Sequence, residues 1–530
     1  MRRFYRKQLV NFLAAAFAAA PLLAAAAPFT PGNIVVARVG DGSASLTSAA
    51  TEVFLDEYTP SGTLVQSVPL PTAVDNNNRA LTAAGNALGE LGLTRSADGH
   101  YLVLAGYGVS PGTPTVASTT ASDVTRVIGL VGADGSVDTS TSAGEAFSGA
   151  SIWAAATADG SSFYSVGSAG GVQYQTRGAY GSTQLSAAPG AGSSVNVVGG
   201  KLYVASSFGP YVGLSQVGTG LPTTAGQATV GLPGFPGATE GASPYGFFLA
   251  DLDATVPGVD VAYVADDNAP GGGIQKWSLV NNRWVLNGTI AGTASAAVRG
   301  LNGQASGTGV SLVATSRGGL YFLTDNAGYN AAPTLARLPT AVAMADANTA
   351  FRGVAFAPVA LAPAIASFTP ATGSAGTTVT ITGSNLTGAT AVSIGTTSIV
   401  GYTVVSATSI TFAVPSGLTS LSGPLTVVTP GGTATSATNF SLVVLANLAA
   451  QALPELSIYP NPATDYVQLE LPQATALTVS VRDLMGRQVL APVVLQAHQP
   501  LRLPASLAAG VYLLDIEQGA TKAVRRIEKR

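Results

Sequence analysis

The amino-acid sequence predicts an all-β protein, and three observations support this prediction. Charged residues make up only 10% of the chain and hydrophobic residues 47%, which excludes a charge-rich disordered chain and long charged helices. The 63 glycines and 31 prolines indicate frequent turns. Short stretches such as residues 52–58, 379–381 and 410–414 alternate with the two-residue period of half-buried strands.

Length and residue usage limit the number of units and the chemistry available. A chain of 530 residues exceeds one hydrophobic core, so we expect three or four units at about 150 residues each. Cysteine is absent, which excludes disulfides, thiolate metal ligands and cysteine nucleophiles. His100 and His498 are the only histidines in the sequence, so a multi-histidine metal site is not expected.

Residues 1–27 have the pattern of a secretory signal peptide. A basic start precedes an Ala-rich apolar core and four small residues, 24–27. A membrane anchor is the alternative, but an uncleaved span needs about 20 apolar residues and this core is shorter. No other stretch has membrane length, so we expect no transmembrane span after removal of this segment. Its loss leaves 24 − 4 = 20 basic against 27 acidic residues, which argues against a nucleic-acid partner.

Residues 28–360 contain a recurring unit, in which a polar or glycine turn precedes a strand of aromatic and branched residues. The copies begin near Ser96, Thr157, Val198, Val259 and Gly309, and this spacing of about 40 to 60 residues is the length of a four-stranded blade. The pattern resembles secreted β-propellers in which Asp-Gly turns join the strands. This resemblance implies six or seven blades, with residues 351–357 pairing with residues 33–39 to complete the ring. A pair of β-sandwiches is the alternative.

Asp251 and Asp253 are the candidate metal ligands in this region. They belong to the densest acidic stretch of the sequence, and carboxylates one residue apart can share a calcium ion in a loop. The spacing lacks the remaining ligands of an EF-hand, so a solvated loop is the alternative. No other cofactor is predicted.

Other chemical patterns in residues 28–360 have simpler explanations. Residues 108–112 match the G-x-S-x-G elbow around Ser110, but prolines follow where the motif requires a helix, so we predict a loop and assign no catalytic residue. His100 is predicted to lie in a turn. Four aromatic residues could stack on sugars or pack between blades, and packing is favoured: Trp153, Tyr211, Trp277 and Trp284.

Residues 361–445 form a second predicted unit with clean strand alternation. The residues that identify it are Ile365, Phe368, Pro370, Gly376, Thr377, Val379, Ile381, Gly383, Asn385, Leu386, Val414 and Pro415. This pattern resembles an IPT/TIG domain. The resemblance implies an immunoglobulin-like sandwich that serves as a spacer or adhesion module and has no catalytic residues.

A predicted linker, residues 446–455, leads to the last unit, residues 456–530. Its motif residues are Tyr459, Pro460, Asn461, Pro462, Gly486, Gly510, Tyr512, Lys522, Arg525 and Arg526. In this order they resemble the type A C-terminal sorting domain of the bacterial type IX secretion system. The resemblance implies a second small immunoglobulin-like β-sandwich, recognition by the type IX translocon and its sorting and cleavage machinery, and a source among Bacteroidetes.

Together these units predict a protein that is secreted or held on the outer-membrane surface after passing through the periplasm. The resemblance implies that surface lipopolysaccharide is a partner if the chain is retained. The leading hypothesis is a non-enzymatic binding or adhesion protein whose extracellular ligand is a glycan or a protein. The alternatives are a propeller-type polysaccharide hydrolase or lyase, with converging acids at the channel mouth, and a structural surface-layer component.

Overall fold

The structure is a computed structural model that describes residues 27–235, 242–268, 272–292, 297–418, 420–443, 453–473 and 476–530. The predicted signal peptide lies outside these ranges up to residue 26, and so does the predicted linker up to residue 452. In the described ranges the regular structure is strand, apart from two short 3-10 helices at Val116–Ser118 and Gly209–Tyr211. Neither of the helices described there is long and apolar enough to cross a membrane.

The first twenty-six strands make up what we call the propeller-like region. Their bounds are β1 Ile34–Val39, β2 Ala50–Thr51, β3 Val53–Tyr58, β4 Leu64–Pro69, β5 Ala83–Ala84, β6 Thr94–Arg95, β7 Tyr101–Tyr107, β8 Arg126–Gly132, β9 Val137–Ser142, β10 Ile152–Ala156, β11 Ser162–Gly167, β12 Val172–Thr176, β13 Thr183–Ser186, β14 Ser194–Val198, β15 Lys201–Ser206, β16 Gly213–Val217, β17 Thr229–Gly231, β18 Pro244–Ala250, β19 Val261–Asp266, β20 Gly273–Val280, β21 Arg283–Ile290, β22 Gly300–Ser306, β23 Gly309–Thr315, β24 Gly319–Asp325, β25 Ala343–Met344 and β26 Ala350–Phe356.

Across the described part of this region, the strands form six four-stranded sheets, which we number as blades 1 to 6. Their strand orders are β26-β1-β3-β4, β6-β7-β8-β9, β10-β11-β12-β13, β14-β15-β16-β17, β18-β19-β20-β21 and β22-β23-β24-β25. A separate pair, β2 and β5, lies beside them. The five repeats found in the sequence fall on the second strands of blades 2 to 6, which are β7, β11, β15, β19 and β23.

Blade 1 takes strands from both ends of the region, as the sequence predicted. Strands β26 and β1 pair antiparallel, with Ile34 opposite Phe356 and Val39 opposite Ala350. The first strand of each blade, which we call its inner strand, contacts the inner strand of the next blade. These contacts run from β26 through β6, β10, β14, β18 and β22 and return to β26.

Glycines on the inner strands allow neighbouring blades to approach closely. The Gly353 N–H donates to the Leu91 carbonyl at 3.1 Å, and the Gly246 N–H donates to the Arg299 carbonyl at 2.9 Å. A Cβ atom at Gly353 would lie 2.1 Å from the Leu93 nitrogen and 2.3 Å from the Leu91 oxygen. Any side chain at this position would therefore push blades 1 and 2 apart.

We therefore expect Gly353→Ala to destabilise the propeller-like region by about 1–3 kcal/mol, the range for overpacking a tight interior. Urea unfolding of the mature protein, followed by tryptophan fluorescence, measures this change. Gly231→Ala is the matched control, because its Cβ would meet no atom closer than Ser215 Oγ at 4.0 Å. Equal stabilities for the two variants would contradict the close packing of blades 1 and 2.

The second unit is a two-sheet sandwich, one sheet ordered β27-β29-β33-β32 and the other β28-β35-β34-β30-β31. The predicted alternation is confirmed, since Val379, Ile381, Ile410 and Phe412 are buried in one core. The strand bounds are β27 Ala364–Thr369, β28 Thr372–Gly373, β29 Thr378–Ser384, β30 Ala391–Ile394, β31 Thr397–Ser398, β32 Thr403–Ser406, β33 Ser409–Ala413, β34 Ser422–Thr429 and β35 Gly432–Leu442.

The last unit is a smaller sandwich with its own core, in which Val467, Val479, Leu514 and Ile527 are buried. Its sheets are ordered β36-β37-β40 and β39-β38-β41-β42. The strand bounds are β36 Ser457–Tyr459, β37 Tyr466–Glu470, β38 Ala476–Asp483, β39 Gln488–Gln496, β40 Leu501–Arg502, β41 Gly510–Gln518 and β42 Thr521–Lys529.

Candidate functional site

A cavity of about 240 Å³ lies at the end of the propeller-like region where the inner strands begin. We call it the central cavity. Blades 1, 2, 4, 5 and 6 contribute to its wall, which places it on the axis around which the inner strands are arranged. Its lining comes from residues 88–90, 92–93, 193–194, 245–246, 297, 299–301, 315–318 and 351–353.

Three arginines line the central cavity, and each is followed by a glycine in the sequence: Arg299, Arg317 and Arg352. The glycine after Arg299 lets blade 6 approach blade 1, because a Cβ atom at Gly300 would lie 2.6 Å from the Arg352 carbonyl oxygen. The close approach of the inner strands therefore brings together cationic side chains from different blades.

Arg352 is the most buried of the three arginines, with 6% of its surface exposed. Its Nη1 donates to the Phe351 carbonyl at 3.0 Å and its Nη2 to the Gly85 carbonyl at 2.8 Å. Burial lowers the pKa of Arg352 to about 10, with Arg317 and Arg299 acting in the same direction and Glu90 opposing them. The guanidinium therefore stays charged at neutral pH.

Glu90 is the one carboxylate in the described lining of the cavity, and both of its oxygens are engaged. Oε1 accepts a hydrogen bond from the Tyr107 hydroxyl at 2.6 Å, and Oε2 accepts one from the Ala84 N–H at 2.9 Å. Burial raises the pKa of Glu90, and these hydrogen bonds act against that rise. The side chain is thus anchored in the wall of the cavity by blade 2, through Tyr107, and by β5, through Ala84.

Arg299 is oriented by an acid and an aromatic ring. Its Nε donates to Asp267 Oδ2 at 2.6 Å, and its guanidinium carbon lies 4.7 Å from the centre of the Tyr245 ring. Burial raises the pKa of Tyr245, and the charge of Arg299 acts in the opposite direction. Arg317 is exposed and, among the described residues, forms no ion pair.

The sequence did not single out these arginines, because they lie on separate strands and converge only in the fold. One local signal could have found them. The chain contains four Arg-Gly dipeptides, beginning at Arg177, Arg299, Arg317 and Arg352, and the last three line the central cavity.

The candidate calcium residues Asp251 and Asp253 lie in the loop after β18 and not in the lining of the central cavity. Asp253 Oδ1 accepts hydrogen bonds from the Thr255 N–H at 3.0 Å and the Thr255 hydroxyl at 2.7 Å, which lower the Asp253 pKa. Asp260 accepts the N–H groups of Leu252 and Asp253. No cluster of three or more potential metal-binding side chains occurs in the described residues, and calcium binding at Asp251 and Asp253 stays a prediction.

Trp277, Trp284, Ser110 and His100, which the sequence analysis also considered, do not line the central cavity. Trp277 and Trp284 pack against Phe235, with ring centroids 4.5 Å and 5.7 Å away, in a core that also contains residues of blade 4. Ser110 is exposed in a loop, as predicted. His100 Nδ1 lies 2.8 Å from the Val359 carbonyl oxygen, so the imidazole joins blade 2 to the segment after β26.

The motif residues of the last unit connect its beginning to its final strand. Asn461 Nδ2 donates to the Arg526 carbonyl at 3.0 Å, and Asn461 Oδ1 accepts the Glu528 N–H at 2.8 Å. The Ala463 N–H donates to the Glu528 carbonyl at 2.7 Å. The side chain of Asn461 thus bonds the edge of β42 as a neighbouring strand would.

The remaining motif residues have local contacts. Gly486 occupies the turn between β38 and β39 with φ 82°, a conformation that favours glycine. The Tyr512 hydroxyl donates to the Ala508 carbonyl at 2.9 Å, Lys522 pairs with Glu517, and Arg525 donates to the Leu453 carbonyl. Their part in sorting stays a prediction.

Residues 457–530 match the family model described as the secretion system C-terminal sorting domain, and residues 363–442 match the IPT/TIG domain. The chain ends in a type IX sorting domain. The protein is therefore exported by the type IX system through interaction with that machinery, and it is secreted or attached to the cell surface. No curated protein matches the chain.

Several solved structures are similar to parts of the type IX cargo at low TM-scores. A fungal AA5-family alcohol oxidase in complex with copper is 12% identical, with a TM-score of 0.28 over 79% of this chain and 98% of that one. The plexin A4 extracellular region, domains 1 to 8, is 8% identical, with a TM-score of 0.25 over 95% and 76%. Bacteroides ovatus SGBP-B in complex with a mixed-linkage heptasaccharide is 15% identical, with a TM-score of 0.15 over 36% and 52%. Likenesses this weak support no functional conclusion.

Proposed function

We propose that this type IX cargo is a non-enzymatic extracellular binding protein whose central cavity holds a group of its ligand. The observation that carries the proposal is the cavity itself, which combines a concave shape, arginine donors and aromatic walls. The IPT/TIG domain serves as a spacer or adhesion module. After export, the sorting domain is removed, and the mature chain is released or attached to surface lipopolysaccharide.

The composition of the cavity favours binding over polysaccharide hydrolysis. Glycoside hydrolysis uses two carboxyl groups, one on each side of the scissile bond. Glu90 is the one carboxylate in the described lining, and its two oxygens accept hydrogen bonds from Tyr107 and Ala84. A lyase reaction needs a base near neutral pKa, whereas burial raises the pKa of Tyr245 above its ordinary value.

Blocking the cavity without changing its charge tests this proposal. Gly318 lines the cavity, and a Cβ atom there would meet only Met344 Cε at 3.8 Å, so Gly318→Trp adds bulk without a backbone collision. We expect mature protein from culture medium to bind at least one member of a panel of immobilised polysaccharides and extracellular proteins. Gly318→Trp should abolish that binding.

Gly231→Trp is the control, since Gly231 is exposed on an outer strand and is not part of the cavity wall. The bound ligand should also keep its chain length after prolonged incubation, as measured by size-exclusion chromatography. Shortening of the ligand would favour the enzyme alternative. Equal binding by the two tryptophan variants would show that the ligand site lies elsewhere.

A further inference from the structure

We propose that the central cavity recognises an anionic group, a carboxylate or a sulfate, on an acidic polysaccharide. This inference rests on the proposed function and adds the chemical class of the ligand. It is drawn from the way Arg299, Arg317 and Arg352 meet in a cavity whose acidic groups are already engaged.

The charges around the cavity do not balance. Asp267 neutralises Arg299 through the contact at 2.6 Å, and Glu90 is the remaining acid of the described lining. Arg352 and Arg317 form no ion pair with a carboxylate of the described residues. At neutral pH the cavity therefore carries a net positive charge, which a bound anion would compensate.

Arg352 has hydrogen-bond donors to spare. A guanidinium has five N–H groups, and within the described residues Arg352 donates one hydrogen bond from Nη1 to the Phe351 carbonyl and one from Nη2 to the Gly85 carbonyl. Burial of a cation that forms no direct ion pair is unfavourable, and it lowers the pKa of Arg352 although the charge of Glu90 opposes the change. An anion in the cavity would accept the unused donors, and the two backbone bonds hold the planar group in place for it.

Arg317 provides a second set of hydrogen-bond donors, on the solvent-exposed part of the cavity wall. It lies in the turn between β23 and β24, is exposed, and shares the cavity wall with Arg352. A group entering from solvent would contact Arg317 first and then reach Arg352. Arginine suits this task because its planar fork matches a carboxylate or a sulfate in two-point hydrogen bonds.

The size of the cavity favours a glycan over a folded protein. Its volume of about 240 Å³ suits one small group, whereas a stable protein interface buries about 800 Å² on each partner. Its wall also contains the aromatic residues Tyr245 and Phe351. Sugar acids and sulfated sugars combine one charged group with apolar faces that aromatic rings can contact.

Affinity measurements with defined polysaccharides test the inference. The probes are polygalacturonate, dextran sulfate, uncharged dextran and poly-glutamate, each titrated against the mature protein by isothermal calorimetry. We expect polygalacturonate or dextran sulfate to bind, with an affinity that falls as salt is added, and uncharged dextran not to bind. The first two probes distinguish carboxylate from sulfate recognition.

The variants are Arg352→Gln and Arg317→Gln, with Arg283→Gln as the control that removes one exposed charge outside the cavity. Loss of a charged donor should weaken acidic-glycan binding roughly tenfold or more in the first two variants and leave the control unchanged. Arg317 is exposed, so its variant keeps the test valid if Arg352→Gln does not fold.

Three outcomes would overturn the inference: equal binding of dextran and dextran sulfate, binding of poly-glutamate alone, or equal weakening by Arg283→Gln and Arg352→Gln. If a neutral ligand binds the unmodified protein but not Gly318→Trp, the proposed function is supported and the inference of an anionic ligand is contradicted. If Gly318→Trp does not affect binding, both the proposed function of the central cavity and the inference of an anionic ligand are contradicted.

Discussion

Deletion of residues 457–530 is expected to abolish export of the chain while leaving the rest of the protein folded. These residues match the sorting domain, and, among the residues that the structure describes, their hydrophobic core contains none from the propeller-like region or the IPT/TIG domain. The deletion therefore removes the sorting domain without opening the core of the IPT/TIG domain or those of the propeller-like region. Mass spectrometry of medium, outer-membrane and periplasmic fractions from a type IX-competent host measures the effect.

Met485→Ser is a suitable control for this deletion. Met485 is 94% exposed at the tip of the turn between β38 and β39, so its replacement changes neither the core nor the Asn461 contacts with β42. We expect this variant to reach the medium at the level of the unmodified chain, and the deleted chain to accumulate in the periplasm. Export of both to equal extent would show that another segment carries the sorting signal.

Elements fixed by local patterns could be predicted from the sequence. Alternation identified the core strands around Val379 and Phe412, and the spacing of the repeats identified the second strands of five blades. The pairing of β1 with β26 could be predicted because a ring of blades without such a pairing leaves exposed strand edges. In each case a few neighbouring residues, or one topological requirement, determine the element.

The central cavity could not be predicted in the same way, because its chemistry comes from residues far apart in sequence. Glu90 precedes β6 and Arg352 lies in β26, far apart in sequence, and the two residues share one wall only because blades 1 and 2 meet. The sequence analysis selected Asp251 and Asp253 because acidic residues are concentrated in that stretch. Acidic residues that are close in sequence need not line the same cavity, and these two lie in a loop outside it.

The ion pair between Lys276 and Asp325 is a second long-range feature that sequence reasoning missed. Lys276 Nζ lies 2.9 Å from Asp325 Oδ2, and the two side chains are 0% and 1% exposed. Lys276 Nζ also donates to the Gly328 carbonyl at 2.8 Å, and the Tyr263 hydroxyl donates to Asp325 Oδ2 at 2.7 Å. Because β20 and β24 carry the two charges, the pair joins blades 5 and 6.

Burial raises the pKa of Asp325, but the hydrogen bonds from Lys276, Tyr263 and two backbone N–H groups outweigh burial and hold it below the ordinary value of 3.8. The folded protein therefore binds this proton more weakly than the unfolded chain does. The stability that this carboxylate contributes is complete above the ordinary aspartate pKa. It is lost as the pH falls through the lower pKa of the folded state.

Asp325→Asn is therefore expected to reduce the free energy of unfolding of the propeller-like region by about 3–5 kcal/mol at neutral pH, because Lys276 would remain buried without its partner charge. Replacing both residues, as in Lys276→Met with Asp325→Leu, should recover most of this loss, since no unpaired charge remains. Urea unfolding at neutral and acidic pH measures both effects, and the acid-dependent contribution of Asp325 should be absent from the single variant.

Arg177→Gln supplies the control for a partly exposed ion pair of the same region, because Arg177 and Asp138 are 46% and 26% exposed and should contribute less than about 1 kcal/mol. A double variant no more stable than Asp325→Asn would indicate that the weakened hydrogen bonds to residue 325, and not the uncompensated charge of Lys276, cause the loss. An Asp325→Asn variant as stable as Arg177→Gln would show that the charge pair contributes little to holding blades 5 and 6 together.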